Sequence, residues 1–243
     1  INRWLLNSSN ASWDHPEGIS FLLENPEARE LSASYIKRFL NSPLLNQYLG
    51  WKQYWKYKQL SNLDFPWGWK DPVNTYTLPI WLDFFPNAKI IHIRRHGIDV
   101  ANSLYVRSVK RDKTLDQNLN AYVSKPWFWL YPKWFVRTNW STVRCQTIEG
   151  GFSLWETYLA HAQQTVANID NEVLELKFED FLMSPASTLE MLSNFCELDT
   201  TSDLIKQVSK DVDASRAYAF RKNEKLQKYN SIFSDRLKVF NYD

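Results

Sequence analysis

Phe85-Pro-Asn-Ala-Lys-Ile-Ile-His-Ile-Arg-Arg-His-Gly-Ile-Asp-Val-Ala-Asn-Ser103 is the stretch from which the rest of the chain can be read. Lys89 to Ile93 is a short apolar run with one His, the pattern of a strand buried in a parallel sheet. Arg94, Arg95, His96 and Gly97 make a polar turn. From Ile98 the apolar residues Ile98, Ala101, Tyr105 and Val109 recur at helical spacing, while Arg107, Lys110 and Arg111 fall elsewhere on the wheel. A guanidinium at the carboxyl end of a strand, facing a helix N-terminus, makes an anion site. Free backbone N–H groups and the helix dipole favour phosphate or sulfate there, and the Arg fork binds it bidentately.

Outward from this stretch the pattern alternates between strand and helix. Ile1 to Asp14 is polar and reads as irregular. Pro16 to Leu23 and Pro26 to Leu40 read as helices with Pro near the first turn. Leu44 to Leu60 is aromatic, Lys-rich and helical in spacing. Phe65-Pro-Trp-Gly-Trp-Lys70 reads as a short strand that stops at Asp71-Pro72, and Thr75 to Phe85 as a helix that stops at Pro86. From Asp112 to Gly151 the periodicity is lost, and Tyr122 to Trp140 mixes Trp127, Phe128, Trp129, Tyr131, Trp134, Phe135 and Trp140 with Pro and basic residues. Phe152 to Ile169 is a helix, Val173 to Phe178 a strand, and Ser184-Pro185 starts a helix that runs to Cys196. Thr201 to Val212 and Asn223 to Phe240 are further helices. Strands separated by helices predict an α/β fold, a parallel sheet flanked by helices. The expected organisation is a single domain over 1–243 with an aromatic-rich insertion at about 112–151.

Composition narrows the function classes. A chain of 243 residues can bury a full core. Its formal net charge of +2 does not point to a nucleic-acid partner, so anion binding must come from local clusters. The longest apolar stretches are broken by Pro, Lys or Asp, so no integral membrane segment is expected. Cys145 and Cys196 imply no disulfide framework. Asn7-Ser-Ser, Asn10-Ala-Ser and Asn139-Trp-Ser are glycosylation triplets that matter only on a eukaryotic secretory route, so the compartment stays open. Twelve Trp, twelve Tyr and fourteen Phe exceed what a core of this size needs, and the surplus is expected as exposed binding surface.

Three landmarks in order resemble the sulfotransferase family that uses 3′-phosphoadenosine 5′-phosphosulfate (PAPS). Trp67-Gly-Trp-Lys70-Asp-Pro72 is similar to that family's strand ending in Lys before a Pro-containing turn. Pro86 to Ser103 is similar to its 3′-phosphate-binding segment, in a register that selects Arg95 over Arg94 and places Asp99, Val100, Ala101 and Ser103. Leu176-Lys-Phe-Glu-Asp-Phe-Leu-Met-Ser-Pro185 resembles its strand, acidic pair and Pro-initiated helix. The resemblance spans roughly Phe65 to Leu198 and implies a P-loop nucleotide-hydrolase-like architecture. The Ser-Gly-Thr type of loop that would cradle the 5′-phosphosulfate is not found, so the first strand and its loop are expected to be absent, through truncation or in an inactive member.

The resemblance also implies roles. Arg95 and Ser103 would hold the 3′-phosphate, with Arg216 and Arg221 as a late basic segment over it. Lys70 would neutralise charge at the sulfuryl group. Pro72 stands where many relatives have a catalytic His, so Asp14, His15 or Glu17 is expected to serve as base. Other readings stay open: Asp14, Pro16 and Glu17 as a helix-start signal, Lys70 and the late arginines as solvated surface, and Glu179 and Asp180 as capping residues. PAPS is then the expected donor and adenosine 3′,5′-bisphosphate the product, with no metal. The expected acceptor is a hydroxyl-bearing small molecule or glycan, met by the aromatic insertion with Lys125, Lys133, Arg137 and Arg144. The alternatives are a non-catalytic anion- or carbohydrate-binding module and a nucleotide-binding phosphoryl-transfer protein.

Overall fold

The computed structural model describes residues 1–123 and 142–242. The aromatic stretch from Trp127 to Trp140, with Lys125, Lys133 and Arg137, lies outside the described residues. The described residues form a helix-rich α/β structure whose sheet is small and parallel, two strands side by side. The chain divides into two compact units, Ile1–Ile90 with Gln164–Glu172, and Ile91–Gln163 with Val173–Asp243. Among the described residues no helix is long and apolar enough to cross a membrane.

The first unit is helical: α1 (Asn2–Ser8), α2 (Ile19–Glu24), α3 (Pro26–Leu40), α4 (Asn46–Tyr57) and α5 (Asn74–Phe84). Leu5, Leu6, Ile19, Leu22, Ile36 and Ile80 are buried at its centre. Pro26 starts α3 with its fixed φ, and Asn25 Oδ1 caps it by accepting the Ala28 N–H at 3.0 Å.

Two expectations are corrected here. The opening residues are helical where an irregular segment was expected. A seven-residue helix would not persist alone, and tertiary bonds hold it. Asn2 Nδ2 donates to Asp71 Oδ2 at 2.9 Å and Asn74 Oδ1 at 2.6 Å, while Asn2 Oδ1 accepts from Thr77 Oγ1 at 3.1 Å and Trp81 Nε1 at 2.7 Å. Nor is Phe65–Lys70 a strand. Its rings form a cluster instead: Trp67 stacks on Trp69 at 6.0 Å, and Trp69 packs on Trp81 at 4.9 Å and Phe85 at 5.8 Å. The alternation that read as a strand is aromatic packing interrupted by Pro66 and Gly68, with Tyr48 Oη donating to Gly68 O.

The second unit is built round β1 (Ile90–Arg94) and β2 (Val173–Lys177), joined through α6 (Gly97–Val123) and α7 (Ile148–Ala167). Parallel strands require such a crossover. Then come α8 (Phe178–Met183), α9 (Pro185–Phe195), α10 (Ser202–Lys210), α11 (Glu224–Ile232) and α12 (Ser234–Lys238). Ile98 and Ala101 of α6 meet Phe152 and Trp155 of α7, and Phe220, Phe233, Leu237, Phe240 and Tyr242 complete the core.

The predicted elements are found with three adjustments. α6 continues to Val123, beyond Asp112, and in the sequence Leu115, Leu119 and Tyr122 keep a helical spacing there. α7 begins at Ile148. The last helix is two, broken at Phe233, whose ring stacks on Phe152 at 4.1 Å. Cys145 and Cys196 are free thiols.

Candidate functional site

The turn after β1 is where the candidate anion ligands gather, and four backbone-directed bonds fix it. The His96 N–H donates to Glu179 Oε1 at 2.9 Å, and Trp155 Nε1 donates to Arg95 O at 2.9 Å. Asp99, buried in the first turn of α6, accepts the Ala219 N–H at 3.1 Å and the Phe220 N–H at 2.8 Å. That last pair ties the segment carrying Arg216 and Arg221 to the turn carrying Arg95. Glu179 was expected to cap its own short helix. Instead its buried carboxylate reaches across to β1, its pKa raised by burial and drawn back by the His96 N–H.

His96 has no exposed surface and stacks on Phe220 at 4.3 Å. Burial, then the charges of Arg221, Arg95 and Lys177, hold its pKa down at about 4, so the imidazole is neutral near pH 7. His96 Nδ1 accepts the Ile98 N–H at 3.4 Å and His96 O accepts the Val100 N–H at 3.1 Å. The Val100 bond is the first of the helix's own ladder, so of the first-turn amides His96 engages that of Ile98.

The two adjacent arginines part company. Arg94 Nη1 donates to Phe240 O at 3.1 Å, and its guanidinium lies 3.9 Å from Glu175 and 5.9 Å from the Tyr242 ring. It ties the C-terminal segment to the strands. Arg95 is half-buried, 3.5 Å from Asp99 and 3.4 Å from Arg216 O, and its Nε, like that of Arg94, is buried without a hydrogen-bond partner. Arg95 and Arg216 lie 5.3 and 6.0 Å from the ring of Phe178, which is a shared floor for both guanidinium groups. Arg221 lies 4.3 Å from the Tyr218 ring, and Tyr218 is left-handed at φ 47. Arg95 thus shares the Phe178 ring with Arg216, and Arg221 of the same late segment lies against Tyr218. Ser103 is exposed two turns into α6.

The remaining predicted residues belong to the first unit. Lys70 is exposed and, with no strand there, it does not end one. Asp14 Oδ1 accepts from Ser12 Oγ at 2.7 Å, and its other oxygen lies 3.9 Å from His15 Nε2. His15, the residue before the turn Pro16–Gly18, gives it no side-chain cap. His15 and Glu17 are exposed. Sequence reasoning missed Phe178 as the floor of the arginine cluster and Glu179 as the brace of the turn. Both follow a strand end, but nothing local announces what that strand end faces.

The sequence model of the sulfotransferase family matches residues 3–128. The chain belongs to the sulfotransferase family. No curated protein and no solved structure matches it. The match takes in Asp14 to Glu17, Lys70, Arg95 and Ser103, whereas Arg216 and Arg221 lie beyond it. Sulfuryl transfer is the reaction class that membership supports, and a transferase is the enzyme class.

Proposed function

We propose that this sulfotransferase takes its sulfuryl group from PAPS and that Arg95 is the principal ligand of the donor's 3′-phosphate. The observation that carries this reading is the Arg95 guanidinium itself. It is presented at the end of β1 over Phe178, beside Arg216, with a buried Nε that lacks a hydrogen-bond partner. A phosphate oxygen supplies such a partner, and a charge-assisted bond to guanidinium is among the stronger ones available. Arg216 and Arg221 add positive charge, and Ser103 donates its hydroxyl by leaning back along α6.

Lys70 stabilises charge at the transferring group, and a carboxylate or imidazole among Asp14, His15 and Glu17 takes the proton of the acceptor hydroxyl. The acceptor oxygen forms its bond to sulfur as the bond from sulfur to the phosphate oxygen breaks. Adenosine 3′,5′-bisphosphate leaves, and no metal takes part. The acceptor is an alcohol, in our reading on a carbohydrate or glycolipid. The fold is of the P-loop nucleotide-hydrolase type.

Calorimetric titration with adenosine 3′,5′-bisphosphate in the absence of metal tests the donor site. Binding is expected, and Arg95→Ala should weaken it by about ten- to a hundredfold, the worth of a charge-assisted bond. Wild-type binding that survives Arg95→Ala unchanged would sink the assignment. Binding without turnover across a broad acceptor screen would favour a module that holds the nucleotide but does not transfer.

A further inference from the structure

α4 and the residue after it carry the run Trp51-Lys-Gln-Tyr-Trp-Lys-Tyr-Lys58, and no acidic residue falls between Asn46 and Lys58. Gly50, at φ 75, bends the chain just before this run. Trp51 and Trp55, one helical turn apart, are 58% and 66% exposed. Tyr54 meets both indoles edge-on at 6.1 Å, so the three rings form one surface. The Lys58 ammonium lies 3.7 Å from the Trp55 ring and 5.4 Å from that of Tyr54. Lys56 is engaged with Asp64 at 3.6 Å and with Tyr57 Oη, which leaves Lys52 and Lys58 as the outward cations of this face.

Indole rings left in water are costly, and two on one face with cations at the rim suit a particular neighbour. At the boundary of a bilayer Trp sits at headgroup depth, its ring in the apolar part and its N–H still hydrated. A lysine laid against that ring holds its ammonium where lipid phosphates lie, and each such cation adds attraction to an anionic surface. A sugar platform would instead need open indole faces, and Lys58 covers one face of Trp55. We propose that α4 is a membrane-surface contact, with Trp51 and Trp55 entering the interface of an anionic phospholipid bilayer and Lys52 and Lys58 meeting its phosphates. The contact is peripheral, and its positive charge selects anionic over neutral lipid.

Co-sedimentation of the chain with vesicles of phosphatidylcholine, with and without phosphatidylglycerol, tests this. The expected result is binding to the anionic vesicles alone, weakening with added salt, with a blue shift of Trp emission. Trp51→Ala with Trp55→Ala should lower the partition at least tenfold, and Lys52→Gln with Lys58→Asn about thirtyfold at low salt. All four positions are exposed, and circular dichroism checks that the variants fold. Three outcomes would overturn the proposal: no binding to anionic vesicles, equal binding to neutral ones, or variants that bind like wild type. Loss of binding to an acidic polysaccharide in the same variants, with no vesicle binding by the wild type, would assign the face to a glycan and also overturn it.

Discussion

Arg94 and Arg95 differ in what surrounds them, and that difference is the finest-grained result of the structure. Arg94 meets Phe240 O and Glu175 beside the Tyr242 ring, whereas Arg95 lies over Phe178 with Arg216 and next to Asp99. The family register selects Arg95, and the structure gives the two arginines different neighbours. His96 between Arg95 and Gly97 yields a prediction about pH. Its pKa falls from 6.5 to about 4 on folding, so the unfolded chain binds the extra proton first. The stability this neutral imidazole contributes is therefore complete above about pH 6.5 and is lost as pH falls toward 4, by at most about 3 kcal/mol. Glu179, raised by burial, acts in the opposite sense over the acid range. A comparison of wild type with His96→Phe separates the two: in chemical denaturation at stepped pH the variant should show a flatter decline between about 6.5 and 4. Identical pH profiles would refute the role of His96.

Elements were legible where their signal was local. α3, α5, α7, α9 and both strands follow from periodicity and from Pro or polar residues at their starts. α1 was not legible, because its stability comes from Asn2 bonding to α5 across about seventy residues of sequence. The false strand at Phe65–Lys70 fails for the converse reason: alternating aromatics look like a strand, but a strand needs a partner ladder. The crossing of α6 over α7 gives an element-scale test. A Cβ at Gly97 would stand 2.6 Å from Phe152 and 2.8 Å from Trp155, both buried. Gly97→Ala should destabilise the second unit by about 1–3 kcal/mol, read as a lower midpoint in denaturant. An unchanged midpoint would mean that the two rings have room to give.

On the scale of the whole molecule, the candidate residues are distributed unevenly. Arg95, Ser103, Arg216 and Arg221 belong to the second unit, and Lys70, Asp14, His15 and Glu17 to the first. If the former hold the donor's nucleotide and the latter act on the transferring group, their substitutions should separate kinetically. Lys70→Ala should leave the affinity for adenosine 3′,5′-bisphosphate within about twofold of wild type while lowering kcat by about a hundredfold or more, as loss of a transition-state contact does. Equal losses in affinity and turnover would count against that division. The sequence alone determined the strand, turn and helix from Ile90 to Ser103, the family and most of the helices, because each is encoded over a few neighbouring residues. Only the tertiary structure decided that Asp99 and Glu179 brace the turn, that His96 is neutral and already engages the helix start, that Phe178 underlies two arginines, and that Lys70 ends no strand. Those facts depend on which residues distant in sequence meet, and burial and hydrogen bonding act only once the chain has brought them together.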